Sequence, residues 1–131
     1  MSRKTARPLS PHLSHYKWGP HMAVSILHRV TGVGLATVGA GLLAWWLYAV
    51  ANGGASYDCF LSVVRHPLFL VLPIGLTWAF FQHLASGVRH LILDTGAGYE
   101  LRANRTGALA AIGFAAVATL VVWAIIFARG A

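Results

Sequence analysis

The stretch "TGALAAIGFAAVATLVVWAIIFA", residues 106–128, contains no Asp, Glu, Lys or Arg. About 20 apolar residues in a helix, rising ~1.5 Å each, cross a hydrocarbon core of about 30 Å, and this run is long enough to do so. Two further runs share the property, Val30 to Val50 and Pro67 to Val88. One such helix could be the buried centre of a water-soluble protein. Three of them in 131 residues, of which 57% are hydrophobic and 10% charged, leave too little polar surface to cover them. Inside lipid the backbone must satisfy its own polar groups, which selects helices. The expected fold is therefore all-α, an integral membrane protein with a leader over 1–21 and a three-helix transmembrane domain over 22–131. Its spans are expected at about 22–50, 67–94 and 104–128.

The ten Lys and Arg are distributed unevenly around these runs. Arg3, Lys4, Arg7, Lys17 and Arg29 precede or open the first span, and Arg89, Arg102 and Arg105 close the second or separate it from the third. Arg65 and Arg129 lie on the opposite side. The positive-inside rule then puts the N-terminus and the second connection in the cytoplasm and the C-terminus outside. The net charge of +7 reads as topology: its carriers flank spans instead of striping one face, so the partner is a lipid membrane and not nucleic acid. The first apolar run is too long for a cleaved signal sequence, and the leader is expected to be retained. That leader, "RPLSPHLSHYKWGP" at 7–20, is proline-rich and should lie extended at the interface with Tyr16 and Trp18 at headgroup level. "NGG" at 52–54 ends the first helix, His66 and Pro67 open the second, and "DTGAGYE" at 94–100 separates it from the third. The segment between the first two spans reads as an outside loop, and its Cys59, the one cysteine, is given no role.

Polar residues inside spans are costly and mark function. Counting from Asp94 at ~1.5 Å per residue, His83 is about 16 Å deep, near mid-bilayer, whereas His28 is about 33 Å from Val50 and falls at the cytoplasmic edge. Ser25, His28, Arg29 and Gly32 share one helical face at spacings of three and four; His83, Gly87, His90 and Asp94 form a second stripe. Gly87, one turn from His83, leaves room for a flat group. An imidazole at depth, with Arg29, Arg89, His28 and His90 near the water, is what a b-type heme requires: a ligand for iron and partners for its carboxylate tails. The same residues also suit a histidine that hydrogen-bonds a neighbouring helix and a glycine that permits close packing. On the residues alone both readings stand. With no Cys-x-x-Cys-His, any heme is held noncovalently. No other histidine is expected at the depth of His83, so a second axial ligand would come from another polypeptide.

"RPLSPHL" at 7–13 followed by "SILHRVTG" at 25–32 resembles the first signature of the cytochrome b subunits of succinate dehydrogenase, respiratory complex II, and "HLASGVRHLILDTG" at 83–96 resembles the second. Spacing, order and three-span topology agree; Leu93 stands where that family usually has an aromatic residue or methionine. The resemblance implies that His83 is the axial ligand of heme b and that the second small membrane anchor subunit supplies the opposite ligand within a shared helical bundle. It further implies His28, Arg29 and His90 on the propionate side, Ser25, Ile26 and Arg29 at the ubiquinone site, and Gly87, Arg89 and Asp94 in support. FAD and iron-sulfur clusters would reside in a flavoprotein and an iron-sulfur subunit on the cytoplasmic face of a bacterial inner membrane, and this chain alone would catalyse nothing.

A quinone that gains two electrons and two protons needs a hydrogen-bond donor at its carbonyl and a stabiliser for developing negative charge, which Ser25 and Arg29 can provide. The alternatives are that Ser25 bonds back to its own helix and Arg29 snorkels to lipid phosphate. Asp94 either accepts from His90 one turn earlier or faces water. Gly107, Ala111 and Ala115 in the third span read as a packing stripe toward the partner subunit. Other functions left open are a fumarate reductase anchor, running the same parts in reverse, and a non-heme scaffold or transporter, although the polar groups cluster at one end instead of lining a path.

Overall fold

Proline at the start of an apolar run fixes φ near its helical value and has no N–H to leave unpaired, so the first helix begins at Pro20. A computed structural model describes residues 10, 12 and 15–130. In it α1 runs Pro20–Asn52, α2 Gly54–Val64, α3 Pro67–Asp94 and α4 Leu101–Ala128. Among the described residues there is no strand. Three of the four helices are long and apolar enough to cross a membrane, which makes this a multi-pass membrane protein. Arg3, Lys4, Arg7 and most of the "RPLSPHL" motif lie outside the described residues, while Tyr16 and Trp18 are exposed ahead of α1.

The ladder of α1 widens into a π-helical turn at Leu35–Gly39. Such a turn inserts an extra residue and re-aims the remainder of the helix. Before it, α1 packs on α3 and α4; after it, residues 40–52 leave those helices and touch α2 instead. Gly53 makes the turn into α2 at φ 58, a left-handed conformation that favours glycine. The segment expected as an outside loop is thus mostly helix. The physical reason is apolar spacing at Tyr57, Phe60, Leu61 and Val64: Phe60 is buried and meets the Trp45 ring edge-on at 4.9 Å. At eleven residues α2 is too short to span.

His66 caps α3 by accepting a hydrogen bond from the Leu68 N–H, and Pro67 occupies the first turn. Gly96, at φ 86, turns the chain toward α4. The packing of α4 is most extensive on α3 and continues onto α1. Its buried residues are Ala108, Ala111, Ala115 and Thr119, a small-residue stripe facing the chain's own helices. Of Gly107, Ala111 and Ala115, the stripe expected to face a partner subunit, Ala111 and Ala115 are instead buried against the chain's own helices, since small side chains let helices approach closely, and Gly107 is half-buried. Val24 and Thr31 from α1 and Gln82 and Ser86 from α3 complete a core of small and polar groups. Large apolar side chains such as Val30, Val71 and Leu120 point outward, as lipid permits.

Candidate functional site

The π-turn leaves the first half of α1 seated against α3, and the seat is made by Gly32. A Cβ at position 32 would stand 2.8 Å from Cε1 and 3.3 Å from Nδ1 of His83, so glycine is what lets the imidazole in. Nδ1 of His83 lies 3.0 Å from the main-chain oxygen of His28 and 3.3 Å from Oγ1 of Thr31. A carbonyl oxygen only accepts, so Nδ1 carries the proton and Nε2 keeps its lone pair. Thr31 is buried, and its hydroxyl is bound to the carbonyl oxygens of Leu27 and His28 at 2.7 and 3.1 Å.

The His28 ring lies on the His83 ring, with centroids 4.0 Å apart and planes within 8°, and His90 meets His28 edge-on at 5.1 Å. Two expectations are corrected here. His28 does not stand apart from His83 in depth: it is eight residues past Pro20, about 12 Å, while His83 is eleven before Asp94, about 16 Å. Measuring from Val50 misplaces it because α1 has 33 residues, about 50 Å, and overruns the hydrocarbon core at both ends. A second histidine therefore does share the level of His83. Its ring is parallel to that of His83 and stacked on it. A Cβ at position 87 would meet Cε1 of His28 at 3.7 Å, ordinary contact. Nδ1 of His28 is buried with no hydrogen-bond partner among the described residues.

Ser25 and Ile26 are half-buried one turn before His28, and Arg29 is exposed beside them. Thr31, Thr37, Thr77 and Thr119 all bond back to the carbonyl four residues earlier. Ser25 makes no such bond among the described residues, so its hydroxyl is free to meet another group. Arg29 makes no ion pair there either. Arg89 turns away from the histidines toward α4, where its Nη2 donates to Oδ1 of Asn104 at 2.5 Å. Asp94 is exposed and makes no bond to His90. The structure thus gathers His83, His28 and His90 with Ser25 and Arg29 alongside, and leaves Arg89 and Asp94 apart.

Thr31 and Asn104 do not stand out in the sequence. Nor does Gln82, fully buried, whose Nε2 donates to Ser86 Oγ at 3.0 Å while Oε1 has no partner among the described residues. The signal for Gln82 is an amide within an uncharged run. Thr31 and Asn104 give none, since their roles depend on which helix lies opposite.

A family model described as "Succinate dehydrogenase/Fumarate reductase transmembrane subunit" matches residues 3–122. A succinate dehydrogenase cytochrome b556 subunit from Paracoccus denitrificans is 38% identical over 120 residues, 89% of this chain and 92% of that protein. One from Rickettsia felis is 40% identical over 103 residues, 77% of this chain and 78% of that one. The mitochondrial cytochrome b560 subunit of Homo sapiens is 33% identical over 100 residues, 72% of this chain and 57% of the human protein. With the matched region covering the first two spans, most of the third and both histidine motifs, the chain belongs to the succinate dehydrogenase/fumarate reductase transmembrane subunit family.

Proposed function

We propose that this chain is the cytochrome b anchor of a succinate:ubiquinone oxidoreductase, holding heme b together with a second small membrane subunit and forming part of the ubiquinone-reduction site. The observation that carries the reading is the His83 imidazole. A histidine that ligates a metal ordinarily donates its other N–H to a carbonyl or carboxylate, which fixes the tautomer and aims the lone pair. His83 has that arrangement through the His28 carbonyl, with Nε2 left uncommitted. Gly32 and Thr31 hold the ring, and the orphaned Nδ1 of His28 is a polar atom that requires an occupant the chain itself does not supply. These features fit a heme. When bound, heme b supplies a reversible one-electron carrier within the membrane.

His28, Arg29 and His90 are then the cationic and hydrogen-bonding groups for the propionates. Ser25 donates its free hydroxyl to a ubiquinone carbonyl, Ile26 forms the apolar wall beside it, and Arg29 stabilises the oxygen as negative charge develops. Arg29 is exposed beside Ser25, and its long side chain can extend from there toward the cytoplasmic end of α1. Gly87 supports this assembly from the helix that carries His83, whereas Arg89 and Asp94 lie apart from it. A flavoprotein with FAD and an iron-sulfur subunit complete the enzyme on the cytoplasmic face. The leader over 1–21 and the N-terminus face the cytoplasm, the C-terminus faces the periplasm of a bacterial inner membrane, and no catalysis belongs to this chain alone.

The test is the reduced-minus-oxidised absorption spectrum of the assembled complex carrying His83→Ala. The expected result is loss or strong perturbation of the b-type bands while the partner chains still copurify. An unchanged spectrum removes His83 as the ligand and the proposal with it.

A further inference from the structure

On the side of α3 turned away from His83, a groove of about 500 Å³ runs between α3 and α4. Among its lining residues are Val88, Arg89, Ile92, Asn104, Gly107 and Phe114. At 100° per residue, Val88 and Ile92 lie opposite the face of His83, Gly87 and His90, so the groove is separate from the histidine cluster. Its walls are apolar except where Arg89 is half-buried beside Asn104.

A guanidinium has five N–H donors, and in the described residues one bond is made, to a neutral amide. No carboxylate among the described residues answers this charge. Asp94 belongs to the His83 stripe on the other side of α3, and Glu100, which precedes α4, forms no ion pair with Arg89. The bond to Asn104 holds the cation in place with its remaining donors uncommitted. Gly107 puts no side chain beneath it: a Cβ there would touch Arg89 Nε at 3.8 Å. The depth is informative too. Counted from Asp94, as for His83, Arg89 is five residues in, about 7 Å, and Leu84 is ten, about 15 Å, so the groove reaches through roughly one leaflet of a ~30 Å core with the cation in its outer half.

We infer that this groove binds an anionic phospholipid, its phosphate on Arg89 and an acyl chain lying between α3 and α4 toward Phe114. Basic pockets between transmembrane helices take anionic headgroups, because a phosphate accepts two parallel bonds from one guanidinium and removes an uncompensated charge from the hydrocarbon edge. A zwitterionic lipid brings its own cation and gains less.

The test uses the whole complex, reconstituted in nanodiscs of phosphatidylcholine containing a minor fraction of phosphatidylglycerol, then released into mild detergent and read by native mass spectrometry. The wild type should retain phosphatidylglycerol in preference to phosphatidylcholine. R89Q should lower that preference about fivefold, the ~1 kcal/mol by which one Arg favours an anionic lipid over a neutral one. Gly107→Leu, which fills the groove, should lower retention of both lipids, and it gives an independent reading should R89Q fail to assemble. Equal retention of the two lipids by the wild type, or the same preference in R89Q, overturns the inference. So does a groove already occupied by a partner helix, which would show as no retained lipid in the wild type and loss of the partner chain in Gly107→Leu. The readout is independent of heme, so its failure is distinct from failure of the His83 assignment.

Discussion

Gly32→Ala adds a single methyl at the contact between α1 and α3. The new Cβ would lie 2.8 Å from Cε1 of His83, at least 0.7 Å inside the ~3.5–4.0 Å at which carbon atoms rest. Either the imidazole moves by that amount or the two helices separate. Both lengthen the 3.0 Å approach of Nδ1 to the His28 carbonyl to the edge of hydrogen bonding. Overpacking costs about 1–3 kcal/mol and the lost hydrogen bond about 0.5–1.5, offset by roughly 0.5–1 from replacing a helical glycine with alanine. The net is a loss of about 2 kcal/mol at the middle of these ranges, about 30-fold in an equilibrium constant. Gly34→Ala is the matched control, on the same helix, with nothing within 4 Å of the added carbon. The assay is thermal dissociation of the purified complex together with its heme content from the absorption spectrum. Gly32→Ala should melt earlier and hold less heme than Gly34→Ala. Identical melting and heme content in the two variants would refute the claim that this contact positions the ring.

Ser25→Ala or Arg29→Ala should lower succinate-driven ubiquinone reduction while succinate oxidation with an artificial dye acceptor persists; parallel loss of both rates would indicate failed assembly instead. Gln82→Leu alone leaves the buried Ser86 hydroxyl without its partner and should destabilise the complex by about 1 kcal/mol, whereas Gln82→Leu with Ser86→Ala should be nearly neutral, since it also removes that hydroxyl. Thermal melts of the single and double variants test this, and a double variant worse than the single would contradict it. Asn104→Ala removes the partner of a half-buried guanidinium and should cost about 1.5–3 kcal/mol, read as a lowered melting temperature.

Much of this molecule is legible along the chain. Charge-free runs of bilayer length specify three spanning helices, because in lipid a helix is the local way to satisfy the backbone and needs no partner to be recognised. His83 emerges from its depth, and His28, Arg29 and Ser25 from period, since i, i+3 and i+4 positions share a face whatever lies opposite; the level of His28 does not emerge, because α1 is longer than the hydrocarbon core is thick. The outside segment reads as a loop because Gly53, Gly54 and Pro67 are strong local breaks, while the helix between them depends on Phe60 finding Trp45 in α1.

What the sequence determined by itself is the membrane, the number of crossings and the faces on which the polar groups stand, all consequences of composition and a 3.6-residue period. Tertiary structure decided which faces meet. It brought His28 onto His83, turned Arg89 to Asn104 and the alanine stripe of α4 onto its own neighbours, because the offset of one helix against another is set by close packing at Gly32 and the small residues of α4, and no pattern within one helix encodes it.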